Sequence, residues 1–227
     1  MTRTQHQDGA DPGGGETADG EAPGAAGGEA SGGVGYRRST RSPRGEARRR
    51  ELLARVTDDL AANGLVDFSL RRAARAAGTT HKVLLYHFDG VEDLMVQAVT
   101  ELRQRRIERS LDAAGQPTAL ADRIAAVWPV LVSREARVLD QAIGLAMYDP
   151  DRYAPLGREA SAQYLPSLLS LCPAHWSDRR KLEVAEMVLA TLRGFLVDAR
   201  TSGDDAGVDA GFAALARALD REESADG

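Results

Sequence analysis

The chain has 227 residues, 43 % of them hydrophobic, enough for one large domain or for a small domain beside a medium one. A single cysteine, Cys172, excludes an intramolecular disulfide framework, the opening MTRTQHQDGADPGGG has no apolar core of a secretory signal, and no run approaches the ~20 apolar residues that span a bilayer. A cytoplasmic protein with no membrane partner is expected, and its net charge of -5 hides a division: residues 1–35 hold one Arg against six acids, while residues 36–55 hold eight Arg against two.

Residues 1–35 carry 11 of the 23 glycines and, after Met1, only Val34 among the large aliphatic and aromatic residues. Such a segment buries too little apolar surface to offset its ordering entropy, and it reads as a disordered acidic tail. No strand precedes its glycines and no Gly-Lys-Ser/Thr follows, so they are not a phosphate-binding loop. Residues 36–47 form a basic arm, which fits either phosphate binding or a solvated charge run. Beyond about Arg48 the apolar spacing is helical almost throughout, with no period-2 run bounded by turn residues. The fold class is all-α.

The first helix, about 45–62, sets Leu52, Leu53, Val56 and Leu60 on one face and stops at Asn63 and Gly64. Ser69 caps a short second helix to Ala77, Gly78 makes the turn, and Thr80 caps a third helix through His87. Such short helices are marginal alone and must pack on the first, which gives a three-helix, helix-turn-helix unit over 48–90. Arg71, His81, Lys82, Tyr86 and His87 all carry donors for a surface that meets nucleic acid. Helical hairpins without DNA share this geometry, so a non-DNA interaction or small-molecule-binding protein stands as the second reading.

The stretch 48–102, beginning RRRELLARVTDDLAANG, resembles the N-terminal domain of the tetracycline-repressor (TetR) family of transcriptional regulators over about a quarter of the chain. The likeness lies in the helix ending at Gly64, Phe68 with Ser69, AARAAG before the turn, the capping Thr80, YHF at 86–88, and Asp93 with Leu94. It implies a helix-turn-helix DNA-binding domain followed by a C-terminal ligand-binding and dimerisation domain. The implied protein is a homodimeric transcription regulator, more a repressor than an activator, which binds a near-palindromic double-stranded operator and answers a small-molecule effector. Ser69, Arg71, Thr80, His81, Lys82, Tyr86 and His87 would form its reading surface. Arg37, Arg38, Arg41 and Arg44 would be a flexible arm toward phosphates or the minor groove. Three positions depart from the family: Leu85 stands where Tyr is usual, Val91 where Lys or Arg is common, and Ala73 where a large aliphatic is usual. Tyr86, one residue late, is turned by about 100° around its helix.

Residues 91–227 are the expected effector-binding and dimerisation domain, entered by a linker helix over 91–109. Further helices are expected at about 118–132, 134–148, 153–171, 177–202 and 205–223, with loops at DPD, CPAHWSD and TSGDDAG. Pro129 and Pro166 fall inside helical patterns and should end or kink them. Leu182, Ala185, Leu189, Leu192 and Leu196 follow a three-four spacing on the penultimate helix, and Phe212, Leu215 and Leu219 do so on the last. A helix this broadly apolar needs two partners, either within one subunit or across a dimer; the resemblance implies the dimer.

Trp128, Met147, Tyr148, Tyr153, Tyr164 and His175 are candidates to line an effector cavity, against the plainer reading of core aromatics. The four histidines are scattered, Cys172 has no evident base, and no metal-spaced set accompanies them, so neither an enzyme nor a cofactor is expected. The acidic tail, charge -5, adjoins residues 36–55, charge +6, and either competes with DNA for their arginines or is an inert solubilising tail.

Overall fold

Ser42 opens the first helix by accepting the Gly45 N–H on its Oγ at 3.1 Å, and Pro43 takes the first helical position, where its missing N–H is no loss. Helix α1 (Pro43–Asn63) therefore begins two residues before the start that apolar spacing predicts. Arg44 sits exposed in its first turn instead of on a flexible arm. The computed structural model describes residues 42–115, 119–203 and 205–225; the acidic tail, Arg37, Arg38 and Arg41 lie outside them.

Gly64 ends α1 with a φ of 72° while its N–H donates to the Leu60 carbonyl at 2.8 Å. A Cβ there would lie 2.7 Å from Gln141 Oε1, so both backbone and space call for glycine. Helices α2 (Leu70–Ala76) and α3 (His81–His87) follow, capped by Ser69 and Thr80 on the Arg72 and Val83 N–H groups. Between them the Thr79 N–H reaches the Ala74 carbonyl and the Gly78 N–H reaches Arg75, with Gly78 at φ 62°. This is a Schellman stop, and it turns the chain within three residues.

Helix α4 (Val91–Ala114) runs five residues past the predicted end of the linker and packs against α1 and against α5 (Leu120–Val132), α6 (Arg137–Tyr148) and α7 (Pro150–Leu171). The DPD stretch is not a loop: Asp149 accepts the Arg152 N–H at 3.2 Å and Pro150 occupies the first turn, so α7 starts three residues early. Pro129 and Pro166 do not end their helices either; α5 and α7 run through them, with Pro129 and Pro166 both on exposed faces. Helices α8 (Asp178–Thr201) and α9 (Asp205–Ser224) close the fold. Among the described residues every regular element is helical, and no helix is long and apolar enough to cross a membrane.

Two cores form. The first joins Leu52, Val56, Leu60 and Leu84 of the three-helix unit to Leu94 and Val99 of α4, and also to Val138, Leu139 and Ala142 of α6 and Leu156 of α7. The boundary expected near residue 90 is thus bridged by shared core. The second core gathers Ile124 and Val127 of α5 with Leu168, Val188, Leu192 and Leu219 of α7, α8 and α9.

Candidate functional site

The α2–turn–α3 unit presents one exposed face. His81, Lys82 and Leu85 share it on α3 by their three-four spacing, and Leu85 is 50 % exposed where a structural leucine would be covered. Arg71 and Arg75, one turn apart on α2, line the crevice between α2 and α3 together with Thr79, Thr80 and His81. Arg75 was missed in the sequence reading, although its four-residue spacing from Arg71 puts it on the same face. Ser69 and Thr80 are exposed as well; each Oγ accepts its cap N–H, which leaves the hydroxyl proton free to donate outward.

The arginines of this region divide into committed and uncommitted. Arg72 Nε meets Asp59 at 2.7 Å, and its other nitrogens reach the Val66, Gly64 and Asp59 carbonyls. Arg55 holds Glu51 and the Ala77 carbonyl, and Arg49 donates to the His87 carbonyl and to Gln97 while stacking 4.9 Å from the Phe88 ring centre. By contrast Arg44, Arg50, Arg71, Arg75 and Lys82 are exposed and enter no ion pair among the described residues. Neighbouring Arg71 and Arg72 thus have opposite jobs.

Tyr86 and His87 lie half-buried, their rings edge to face at 4.9 Å. Burial, helped by the Arg49 and Arg48 charges, pushes the His87 imidazole below its ordinary value, and its buried Nδ1 has no hydrogen-bond partner. A neutral imidazole packed on α1 is a weaker phosphate ligand than an exposed imidazolium.

A cavity of about 70 Å³, partly open to solvent, lies between α4, α5, α6, α7 and α8. Its walls are mainly leucines and Ile107, Val127 and Ile143, and its polar groups are Arg106, Arg193, Tyr164, Asp140, Ser110 and Ser167. Asp140, Ile143, Arg193 and Leu196 also line an outer groove toward Met147 and Val197, which gives the cavity a route to the surface between α6 and α8. Of the six expected lining residues only Tyr164 reaches the cavity. Met147 lines the outer groove, Tyr148 is 89 % exposed, and His175 is exposed in the α7–α8 loop. Trp128 packs on Phe195 and Phe212, with centroids 6.3 Å and 4.8 Å away, and Tyr153 packs against the first core under Arg152.

Arg106 is the unexpected member. It is only 6 % exposed, its Nε has no hydrogen-bond partner, and its one specific contact is with the Tyr164 ring at 5.5 Å. A cation–π contact supplies about 0.5 to 2 kcal/mol, whereas burying a guanidinium costs several. The sequence signal was Arg103 and Arg106, one turn apart among the apolar positions of α4.

The expected dimer positions face inward. Ala185, Leu189, Leu192, Leu196, Leu215 and Leu219 are buried in the subunit's own second core, so these six are not free to meet a second copy, while Phe212 is half-buried and stacks on Phe195 at 4.8 Å. Only Leu182 of that set is exposed. The open face of α8 instead carries Met187, Ala190, Gly194 and Val197, and that of α9 carries Ala206, Ala210 and Ala214.

No family model and no curated protein matches the chain. Solved structures do. A chain assigned as a transcriptional regulator from Streptomyces coelicolor A3(2) is 23 % identical with a TM-score of 0.57, over 75 % of this chain and 96 % of that one. A chain assigned to the TetR family from Rhodococcus sp. gives 16 % and 0.57, over 77 % and 97 %. The multidrug binding protein EbrR gives 18 % and 0.58, over 78 % and 90 %. The described chain has the all-helical fold of TetR-family transcriptional regulators.

Proposed function

We propose that the protein is a TetR-family, sequence-specific DNA-binding regulator of transcription that acts in the cytoplasm as a homodimer and as a repressor released from its operator by a small molecule. The observation that carries this reading is the exposed α2–α3 face, where Arg71 and Arg75 line the crevice between the two helices and, like the exposed Lys82 of α3, enter no ion pair among the described residues. Phosphate contacts by such groups would position the protein, and Arg71, His81 and Lys82 at base edges would specify the sequence. Ser69, Thr80, Tyr86 and His87 flank that face as supporting contacts, and Arg44, exposed in the first turn of α1, is a further phosphate donor. The small-residue face of α8 and α9 suits a second copy, because Ala and Gly let helices approach closely and two-fold DNA favours a two-fold protein.

The cavity fits the effector. Helix α4 lines it with Arg106 and Ile107 and also packs on α1, so one helix runs from the cavity to the element on which α2 and α3 sit. An effector that binds better when α4 is displaced weakens DNA binding, and DNA weakens effector binding by the same factor.

Selection of bound duplex from a random pool, followed by titration of the recovered site, tests the reading. Arg71→Ala or Lys82→Ala should relax preference at particular operator positions, by about 1 to 3 kcal/mol for each bidentate base contact. Uniform weakening on all sequences would assign the residue to phosphates. A pool that stays random, or unchanged binding in both variants, overturns the proposal.

A further inference from the structure

The α4–α7–α8 cavity brings together more positive charge than its surroundings neutralise. Arg106 and Arg193 line it, and Arg103, 2 % exposed, stands one turn from Arg106 on α4. Their partners are neutral. Arg103 donates to the Leu156 carbonyl and to Gln163 Oε1 at 3.2 Å, Arg193 donates twice to Ser161 Oγ at 3.2 Å, and Arg106 has only the Tyr164 ring. The carboxylate that does line the cavity, Asp140, is held by Arg200 Nε at 3.1 Å. Burial pushes the Arg103 guanidinium below its ordinary value; Tyr164 and the exposed Glu159 oppose this, and the charges of Arg193 and Arg106 add to it.

We propose that the cavity takes an amphipathic anion, an apolar carboxylic acid whose carboxylate is gripped by Arg106 and Arg193 and whose body lies along Ile107, Leu131, Leu168 and Leu192. A carboxylate supplies what the site lacks: an acceptor for the unused Arg106 Nε–H and a negative charge beside the two cations that line the wall. Ser110 and Ser167 offer further donors on the wall. The leucine-lined remainder suits an alkyl chain or a fused aromatic body and offers nothing to a second charge. A cationic ligand would add like charge to a desolvated positive cluster, and a neutral one would leave Arg106 as it stands.

This inference rests on the cavity being the effector site but not on DNA binding, and its test uses the full chain without DNA so that the two fail separately. Calorimetric titration compares decanoate, 1-naphthoate, decanol and decyltrimethylammonium. Either acid is expected to bind, with decanol at least about tenfold weaker and the ammonium not binding at about millimolar concentration. Arg106→Met and Arg193→Met should each weaken the acid by about tenfold or more while leaving decanol unchanged. Arg106→Met removes an unpaired buried charge and should fold at least as well as the parent, which a thermal melt checks; the acid should raise the melting temperature of the parent and not of the variant. Equal binding of acid and alcohol, binding of the ammonium, no binding of either acid, or an acid affinity indifferent to both substitutions overturns the proposal.

Discussion

Arg72 shows how one side chain can fix an element. Its guanidinium spans Asp59 on α1 and the carbonyls of Gly64 and Val66, so it ties the start of α2 to the end of α1. The ion pair is 18 % and 17 % exposed on its two sides, which shields it from most solvent screening. Arg72→Ala should cost about 2 kcal/mol in urea unfolding, since it strands a carboxylate and two carbonyls, and Arg72→Lys should recover little of that because an ammonium cannot span the same acceptors. Full recovery by lysine would mean that charge alone matters there. His87 gives a pH dependence at the same scale. Its folded value lies below the ordinary 6.5, chiefly through burial and then through Arg49 and Arg48, so the unfolded chain takes a proton first. Stability from this group is therefore complete above 6.5 and is lost as pH falls from 6.5 through the lowered folded value. Melting temperatures at about pH 7.5 and 5.5 should fall more for the parent than for His87→Gln. Equal falls would place the acid sensitivity elsewhere.

Among the elements, helices were legible where a cap and a three-four spacing coincide, as at Ser69, Thr80 and Ser177. Starts were misplaced where a Pro follows the capping residue, because Ser42-Pro43 and Asp149-Pro150 read as loop until the cap hydrogen bond is seen. Faces were harder. The stripe from Ala185 to Leu196 announces that α8 buries a side, but periodicity does not say in whose core, and the answer is the subunit's own. Small residues give no hydropathy signal, so the open face through Ala190 and Gly194 was invisible to the same method. The cavity escaped for a related reason: aromatics were sought, and the groups that mark it are arginines on α4 and α8. This assignment of faces separates two substitutions. Leu192→Arg places a charge in the second core and should unfold the subunit, costing at least about 3 kcal/mol. Gly194 has nothing within 4 Å of a Cβ, so Gly194→Arg should leave the melting temperature of the subunit nearly unchanged while converting dimer to monomer in sedimentation. A parent that is already monomeric at about micromolar concentration, or a variant that stays dimeric, would refute the proposed interface.

At the scale of the whole molecule, the question is how the cavity and the α2–α3 face share free energy. Helix α4 is tied to α1 by the Arg105–Asp58 ion pair at 2.7 Å, and apart from α4 a side-chain hydrogen bond joins the three-helix unit to α6: Gln141 Oε1 accepts the Leu65 N–H at 2.8 Å. That ion pair is partly exposed and should contribute less than about 1 kcal/mol. The Gln141 contact differs because Leu65 is buried and Gly64 admits the amide only by lacking a Cβ, so the α1–α2 corner and α6 fit each other in one register. A displacement of α6 by a ligand seated against Asp140 and Ile143 would break that register, since Gln141 lies between them in sequence. Couplings between sites typically amount to 1 to 3 kcal/mol, or roughly 5- to 150-fold in affinity. Gln141→Ala should therefore leave ligand affinity near that of the parent and operator affinity in the ligand-free state within a few fold, yet shrink the factor by which ligand weakens operator binding. Fluorescence anisotropy of labelled operator with and without saturating ligand measures that factor directly, and Arg105→Gln serves as the comparison, expected to change it little. A factor unchanged by Gln141→Ala would assign the coupling to α4 alone, through Arg106 and Ile107 to the turns that pack on α1.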